Sequence, residues 1–297
     1  MINTTCTICN HDRARQIYRA NFDLSKINEN IFSARRSPDR IHYRMVRCQT
    51  CGLLYSNPIF SPEEIELLYK KSDATYLEHV KNLNETYGHY LALLDTRVDI
   101  KDKLLEIGCG PGFFLTCAKS MGYKEVWGVE PSQKSIELAP QSIQPFILPT
   151  LFRPNLFPPQ TFDLICSFQT LDHVTDPNET LQEMYRILKP SGFIFIIIHD
   201  SKAPQARILG RYSPIIDIAH IYLFDKITLK KIAEKNKFTV DKVFDVINIH
   251  SFAYWLHLFP APNFLKKSLL TISKLIRIDQ FPLKLKAGNI GLFAYKR

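Results

Sequence analysis

The stretch Lys103 to Leu115, KLLEIGCGPGFFL, runs an apolar strand into a carboxylate and then into three glycines at alternate positions. Gly108, Gly110 and Gly112 lack a Cβ, so the turn can take positive φ and a ligand can lie against the main chain. A dinucleotide-binding turn spaces its glycines G-x-G-x-x-G and seats a pyrophosphate on the following helix N-terminus. Here Phe113 stands where that third glycine would be, and the glycine comes one residue early, which disfavours a pyrophosphate. Glu106 points the same way: a carboxylate at the strand end repels phosphate and attracts an ammonium or sulfonium group in a poorly solvated cleft.

A second apolar run, VWGV from Val126, ends at Glu130, twenty residues after Gly110. A carboxylate at that strand end can accept hydrogen bonds from both hydroxyls of a ribose. The two features together describe S-adenosylmethionine, with Glu106 and the glycine turn near the methionine moiety and Glu130 on the ribose. The glycines alone would fit a plain strand-to-helix connection equally well; the two carboxylates in register separate the readings.

Four of the seven cysteines fall in two C-x-x-C pairs, Cys6 with Cys9 and Cys48 with Cys51. The N-terminus has no apolar core of a signal peptide, so a cytoplasmic protein with reduced thiols is expected. Two such pairs then read as four thiolates around a structural zinc ion, the pairs forming two knuckles with a long excursion between them. Redox pairs and plain buried cysteines are the alternatives; neither pair follows a thioredoxin-like strand and opens a helix. A module of under sixty residues buries little apolar surface, so metal would supply its stability. Cys109, Cys117 and Cys166 stand alone and are read as core or turn residues.

At this point the chain resembles the class I S-adenosylmethionine-dependent methyltransferases. The segment from Phe162 to Ile196, FDLICSFQTLDHVTDPNETLQEMYRILKPSGFIFI, looks like the fourth strand, following helix and fifth strand of that fold, with Asp172–His173 where many relatives have Glu-His. The resemblance carries cofactor contacts onto Glu106, Gly108, Gly110, Gly112 and Glu130, and sets Gln169 to Leu171, with Gln169 and Leu171 as contacts, beside the methionine portion. The acidic residue that relatives often place near the adenine is missing from Thr150 to Arg153; backbone and apolar packing, or Asn155, would replace it. The stretch DIAHIYLFD resembles the E-H-x-x-Y-F pattern of sugar carbon-methyltransferases, with Ala219 in place of Glu before His220.

Methyl transfer from a sulfonium is an in-line displacement that needs alignment, plus a base when the acceptor carries a proton. A base must sit at the carboxyl ends of the fourth and fifth strands or just beyond. His173, His199, Asp200 and His220 meet that condition, and His220 and His173 are the residues predicted as catalytic. Either could instead be a histidine that only hydrogen-bonds at the cleft edge.

The elements that must hold these groups follow from the pattern. Strands are expected at Lys103, at Val126, near Pro145 to Leu148, at Phe162 to Phe168, from Gly192, from Phe238 and from Asn289, with helices between them. The predicted fold is α/β, a doubly wound, mostly parallel, seven-stranded Rossmann-like sheet with a small N-terminal zinc-ribbon module; the resemblance adds an antiparallel last strand between strands five and six. Residues 1–58 form the module, 59–100 a helical lid or linker with a Ser61–Glu64 capping box and a helix over Asp73 to Val98, and 101–297 the catalytic domain. Within it, 251–288 is an insertion whose FLKKSLLTISKLI has apolar residues at helical spacing and lysines opposite. That helix either packs on the body or docks on a membrane surface or lipid substrate.

Composition bounds the partners. Apolar content is 45%, and no apolar run approaches a membrane span, so a globular chain of one or two cores is expected. The net charge of +9 is concentrated at the ends: residues 1–58 hold nine Lys or Arg against four Asp or Glu, and 251–297 eight against one. Basic ends fit an anionic partner such as a nucleotide sugar, a lipid-linked glycan, nucleic acid or a membrane, or simply solvated lysines. The expected function is an S-adenosylmethionine-dependent methyltransferase acting on oxygen or carbon of a small or carbohydrate-type acceptor. An RNA- or protein-directed enzyme is the alternative, disfavoured because SFQTLDH lacks an amino-methylating N/D-P-P-Y/F motif; a non-catalytic cofactor-fold protein or an NAD-dependent reductase is a third.

Overall fold

The structure, a computed structural model, describes residues 1–22, 41–72, 80–96, 101–258 and 262–297. In chain order, β1 (Ala14–Tyr18), β2 (Met45–Cys48) and β3 (Leu54–Ser56) lead into α1 (Pro62–Lys70) and α2 (Val80–Asp95). Then come β4 (Lys103–Ile107), α3 (Phe113–Ser120), β5 (Glu125–Val129), α4 (Gln133–Glu137), β6 (Ile147–Leu148), β7 (Phe162–Phe168), α5 (Pro177–Ile187) and β8 (Leu188–His199). The rest is α6 (Pro204–Leu209), β9 (Tyr222–Leu223), α7 (Lys226–Lys235), β10 (Thr239–Ser251), α8 (Phe252–Leu258), α9 (Asn263–Leu275) and β11 (Pro282–Tyr295).

The large sheet has the order β10-β11-β8-β7-β4-β5-β6. Pairs among β4, β5, β6, β7 and β8 are parallel, and β11 runs antiparallel to both β8 and β10. The central strands are buried on both faces because helices cover both; every residue of β7 is buried. Helices start on identifiable caps. Asp176 accepts from the Asn178 and Glu179 amides at α5, Asp225 and Thr228 form a capping box at α7, and the expected Ser61–Glu64 box opens α1.

Three boundaries differ from those expected. Strand β8 begins at Leu188, directly after α5, so Pro190 and Gly192 lie inside it. The predicted insertion is partly sheet: β10 and β11 stay paired out to Ser251 and Pro282, and only α8, α9 and their links stand beyond them. The small antiparallel sheet, β1-β2-β3-β9, is not closed by residues 1–58, because its fourth strand is Tyr222–Leu223 from far downstream in the chain. The excursion between the cysteine pairs at 23–40, and both ends of the helix predicted over Asp73 to Val98, lie outside the described residues.

Candidate active site

A cavity of about 470 Å³ opens at the carboxyl ends of β4, β7 and β8. Glu106 and the glycine turn form one wall. The amides of Gly108 and Cys109 donate to the Val129 carbonyl, which ties the turn to the end of β5. Gly108, Gly110 and Gly112 all have positive φ, and a Cβ on Gly108 would meet the Thr170 hydroxyl oxygen at 2.3 Å. Glu130 is fixed by two backbone donors, Gly110 N–H and Ser132 N–H, each at 2.9 Å, so a ribose would use the remaining lone pairs. Burial raises the Glu130 carboxyl to about 7 against those two donors. Burial, with Glu130 nearby, pushes Glu106 well above its ordinary range, and its Oε2 has no hydrogen-bond partner among the described residues. A buried acceptor of this kind fits a cationic ligand, since a positive charge would draw the carboxyl back to its ionised form.

The opposite wall carries a cluster of imidazoles around one carboxylate. Asp172 lies four residues beyond β7, His199 ends β8, and His220 comes from the loop before β9. The loop is brought in by the backbone: the amides of Ile221 and Tyr222 both donate to the Asp172 carbonyl. His199 Nδ1 is 3.0 Å from Asp172 Oδ2, His220 Nε2 is 3.9 Å from the same oxygen, and His173 Nε2 is 3.7 Å from Oδ1. Tyr69 of α1 shares a 3.1 Å hydrogen bond with His173 Nδ1. Burial acts to raise Asp172, but the three imidazoles outweigh it and hold the carboxyl well below the carboxylate range. An ionised Asp172 can only accept, so His199 presents Nδ1–H to it, and the neutral form of His199 then carries its lone pair on Nε2. Burial, with His173 and His199 adding to it, drives His220 well below its ordinary value; burial also lowers His173 against the pull of Asp172. The atoms of Asp172, His199 and His220 lie within 4.8 Å of one another, a spacing a metal could also span, but the direct 3.0 Å bond is the arrangement of a proton-transfer dyad.

A family model described as a methyltransferase domain matches residues 76–243, more than half of the chain. The chain belongs to that family. Among solved structures, this methyltransferase-family protein is similar to an S-adenosylmethionine-dependent methyltransferase of Thermotoga maritima (TM-score 0.50, 20% identity, 75% of this chain and 93% of that one). It is similar also to one of Archaeoglobus fulgidus (0.50, 20%, 75% and 100%), and its fold is therefore that of S-adenosylmethionine-dependent methyltransferases. Among curated proteins it is 33% identical over 145 residues to an uncharacterized methyltransferase of Schizosaccharomyces pombe, covering 43% of this chain and 51% of the relative. It is 30% identical over 141 residues to the demethylmenaquinone methyltransferase of Lysinibacillus sphaericus (45% and 58%). A ubiquinone biosynthesis O-methyltransferase of Caulobacter vibrioides is 29% identical over 99 residues (31% and 39%). The chain thus spans about half the length of the curated relatives it matches.

The methyltransferase-family cavity takes up most of the residues singled out from sequence. Glu106, Gly108, Gly110, Glu130, Gln169, His173 and His220 line it. Gly112 does not; it caps α3 and packs toward Ile143 and Ile147. Leu171 is also displaced from its expected role: it is wholly buried in the core under the sheet, and its neighbour Thr170 lines the cavity instead. Asn155 lies away from it, donating its amide to Glu183. Tyr222 and Phe224 are buried core residues, with Tyr222 stacked on Tyr55, its cross-strand partner in the small sheet. In the sequence Asp172 stands out only as a substitution for Glu, and His199 only as one candidate base among several. The signal that joins them is that both follow the carboxyl ends of adjacent parallel strands.

The four cysteines come together as expected from their spacing. Their sulfurs lie within 4.8 Å of one another, and the Cys6 and Cys51 sulfurs are 3.4 Å apart. Zinc–sulfur bonds of about 2.3 Å set tetrahedral sulfurs roughly 3.8 Å apart, so this donor set fits zinc. Each pair is a knuckle: Asn10 N–H donates to the Cys6 carbonyl, and Gly52, at φ 82°, donates to that of Cys48. Cys6 and Cys48 are buried against the module's core.

Proposed function

We propose that the protein transfers the methyl group of S-adenosylmethionine to an oxygen that carries a proton, on an uncharged small-molecule acceptor, with His199 as the base. The carrying observation is the 3.0 Å bond from His199 Nδ1–H to the buried Asp172 carboxylate at the wall facing the glycine turn. When bound, S-adenosylmethionine supplies an electrophilic methyl on a sulfonium that leaves as a neutral thioether. Glu106 and the turn hold that cationic end. His199 Nε2 takes the acceptor proton as the oxygen forms its bond to carbon, and Asp172 stabilises the resulting imidazolium, as in other Asp–His pairs. His220, whose proton affinity is suppressed by burial and two neighbouring imidazoles, orients the acceptor rather than deprotonating it.

The acceptor class follows from charge. Among the described lining residues there is no Lys or Arg, whereas Glu106, Glu130, Asp200 and Asp217 are present. A phosphorylated acceptor, such as the sugar nucleotide that the basic termini would suit, has no cation to meet inside this cavity. The relatives named as ubiquinone biosynthesis O-methyltransferases support oxygen as the acceptor atom, whereas the demethylmenaquinone methyltransferase is named without one. The four cysteines would hold a structural zinc ion.

The test uses calorimetry and transfer from labelled S-adenosylmethionine across a panel of phenolic and polyhydroxylated acceptors. S-adenosylmethionine binding with turnover of a neutral hydroxylated acceptor is expected, and His199→Gln should lower kcat about a hundred- to ten-thousand-fold with cofactor affinity kept. Absence of any binding heat would overturn the methyl-donor assignment; full activity in His199→Gln would overturn the base.

A further inference from the structure

Helix α9 is bound to the body along one narrow line, where Ser273 is buried, and leaves most of its circumference uncovered. Its uncovered side is apolar. At about 3.6 residues per turn, Phe264, Leu265, Leu269, Ile272, Leu275 and Ile276 fall within an arc of roughly 140°. All six are exposed, Phe264 at 72% and Leu275 at 82%, and the turn after the helix adds Ile278 and Phe281. Large side chains do not gather in this way on an ordinary solvated face.

Charge decides what covers it. Lys267, Lys274 and Arg277, on or just after the helix, are exposed, as is Lys284 on β11, and the only carboxylate side chain in residues 251–297 is Asp279. Pairing with a second copy through this face would bring the same cations against one another. An anionic bilayer instead offers acyl chains to the arc and headgroups to its basic margin. The link to the active site is direct, since Tyr254 and Trp255 of α8, against which α9 packs, line the cavity together with Gly288 of β11.

We infer that α9 and the turn to β11 form a docking face for an anionic membrane surface, with α9 lying in the headgroup plane and the cavity held beside it. This face acts through area and charge and does not depend on the methyl-transfer reading.

Flotation of the full chain with phosphatidylcholine vesicles, with and without phosphatidylglycerol, tests it. The protein should float with the phosphatidylglycerol vesicles only and be released by high salt. The triple variant Phe264→Glu, Ile272→Glu, Leu275→Glu should lose at least about tenfold in vesicle affinity. Lys267→Gln and Lys274→Gln should each cost about fivefold. Unchanged circular-dichroism melts would show that these surface variants fold. The inference is overturned if anionic vesicles recover no protein, if the triple variant floats as well as the parent, or if the parent forms a dimer that Leu275→Glu dissociates.

Discussion

The Ser56 hydroxyl donates to the carbonyl of His220 at 3.1 Å across 164 residues of sequence, and the Ser56 amide donates to the carbonyl of Ile221 beside it. Strand β3, whose Ser56 lies eight residues after Cys48, therefore holds the loop that carries the His220 imidazole.

Metal removal should consequently be felt at the acceptor wall. The purified chain is expected to contain one zinc per molecule by elemental analysis. Cys48→Ala or strong chelation should lower the melting temperature and reduce kcat more than it weakens S-adenosylmethionine binding, because the glycine turn is anchored to β5 and not to the module. Equal loss of both would break the proposed link.

Asp172→Asn keeps the shape and removes the charge. An amide can present its NH₂ to His199 and so favour the wrong tautomer, with the lone pair on Nδ1. A fall in kcat of about a thousand- to ten-thousand-fold is expected, with the cofactor dissociation constant within about twofold of the parent. Steady-state kinetics beside calorimetry reads both.

Gly108→Ala should damage cofactor binding in a different way. The residue sits at φ 72° with the Thr170 hydroxyl in the space a Cβ needs. The strain is worth about 1–3 kcal/mol, and relief by shifting the turn would disturb the amide bonds that tie it to Val129 and Glu130. Thermal melts with and without S-adenosylmethionine should show both a lower melting temperature and a smaller ligand-induced rise.

Cofactor affinity should depend on pH. Glu106 and Glu130 have raised carboxyls in the unliganded protein, Glu130 to about 7. A cation prefers their ionised forms, so binding releases protons and tightens as pH rises toward and through 7. Linkage limits the slope to about tenfold per pH unit for each proton released. Calorimetry in buffers of different ionisation enthalpy counts the protons, and Glu106→Gln should reduce the count.

Much of the catalytic domain was legible because its signals are local. The glycine turn, the mostly apolar β7, the Asp176 cap and the Ile-rich β8 are each set by neighbours a few residues apart. Strand β9 was not legible: Tyr222–Leu223 is too short to show a period and exists only because β3 offers an edge. Leu171 reads equally as lining or as core until the direction of its side chain is known. His199 and Asp172 become a pair only when β7 and β8 lie side by side in parallel, which no spacing in the sequence states.

The pairing of β3 with β9 also imposes an order on synthesis. The cysteine knuckles leave the ribosome early and the glycine turn follows, but β3 keeps an open edge until Leu223 has been added. A chain cut short before that point has a cofactor turn and no assembled histidine cluster.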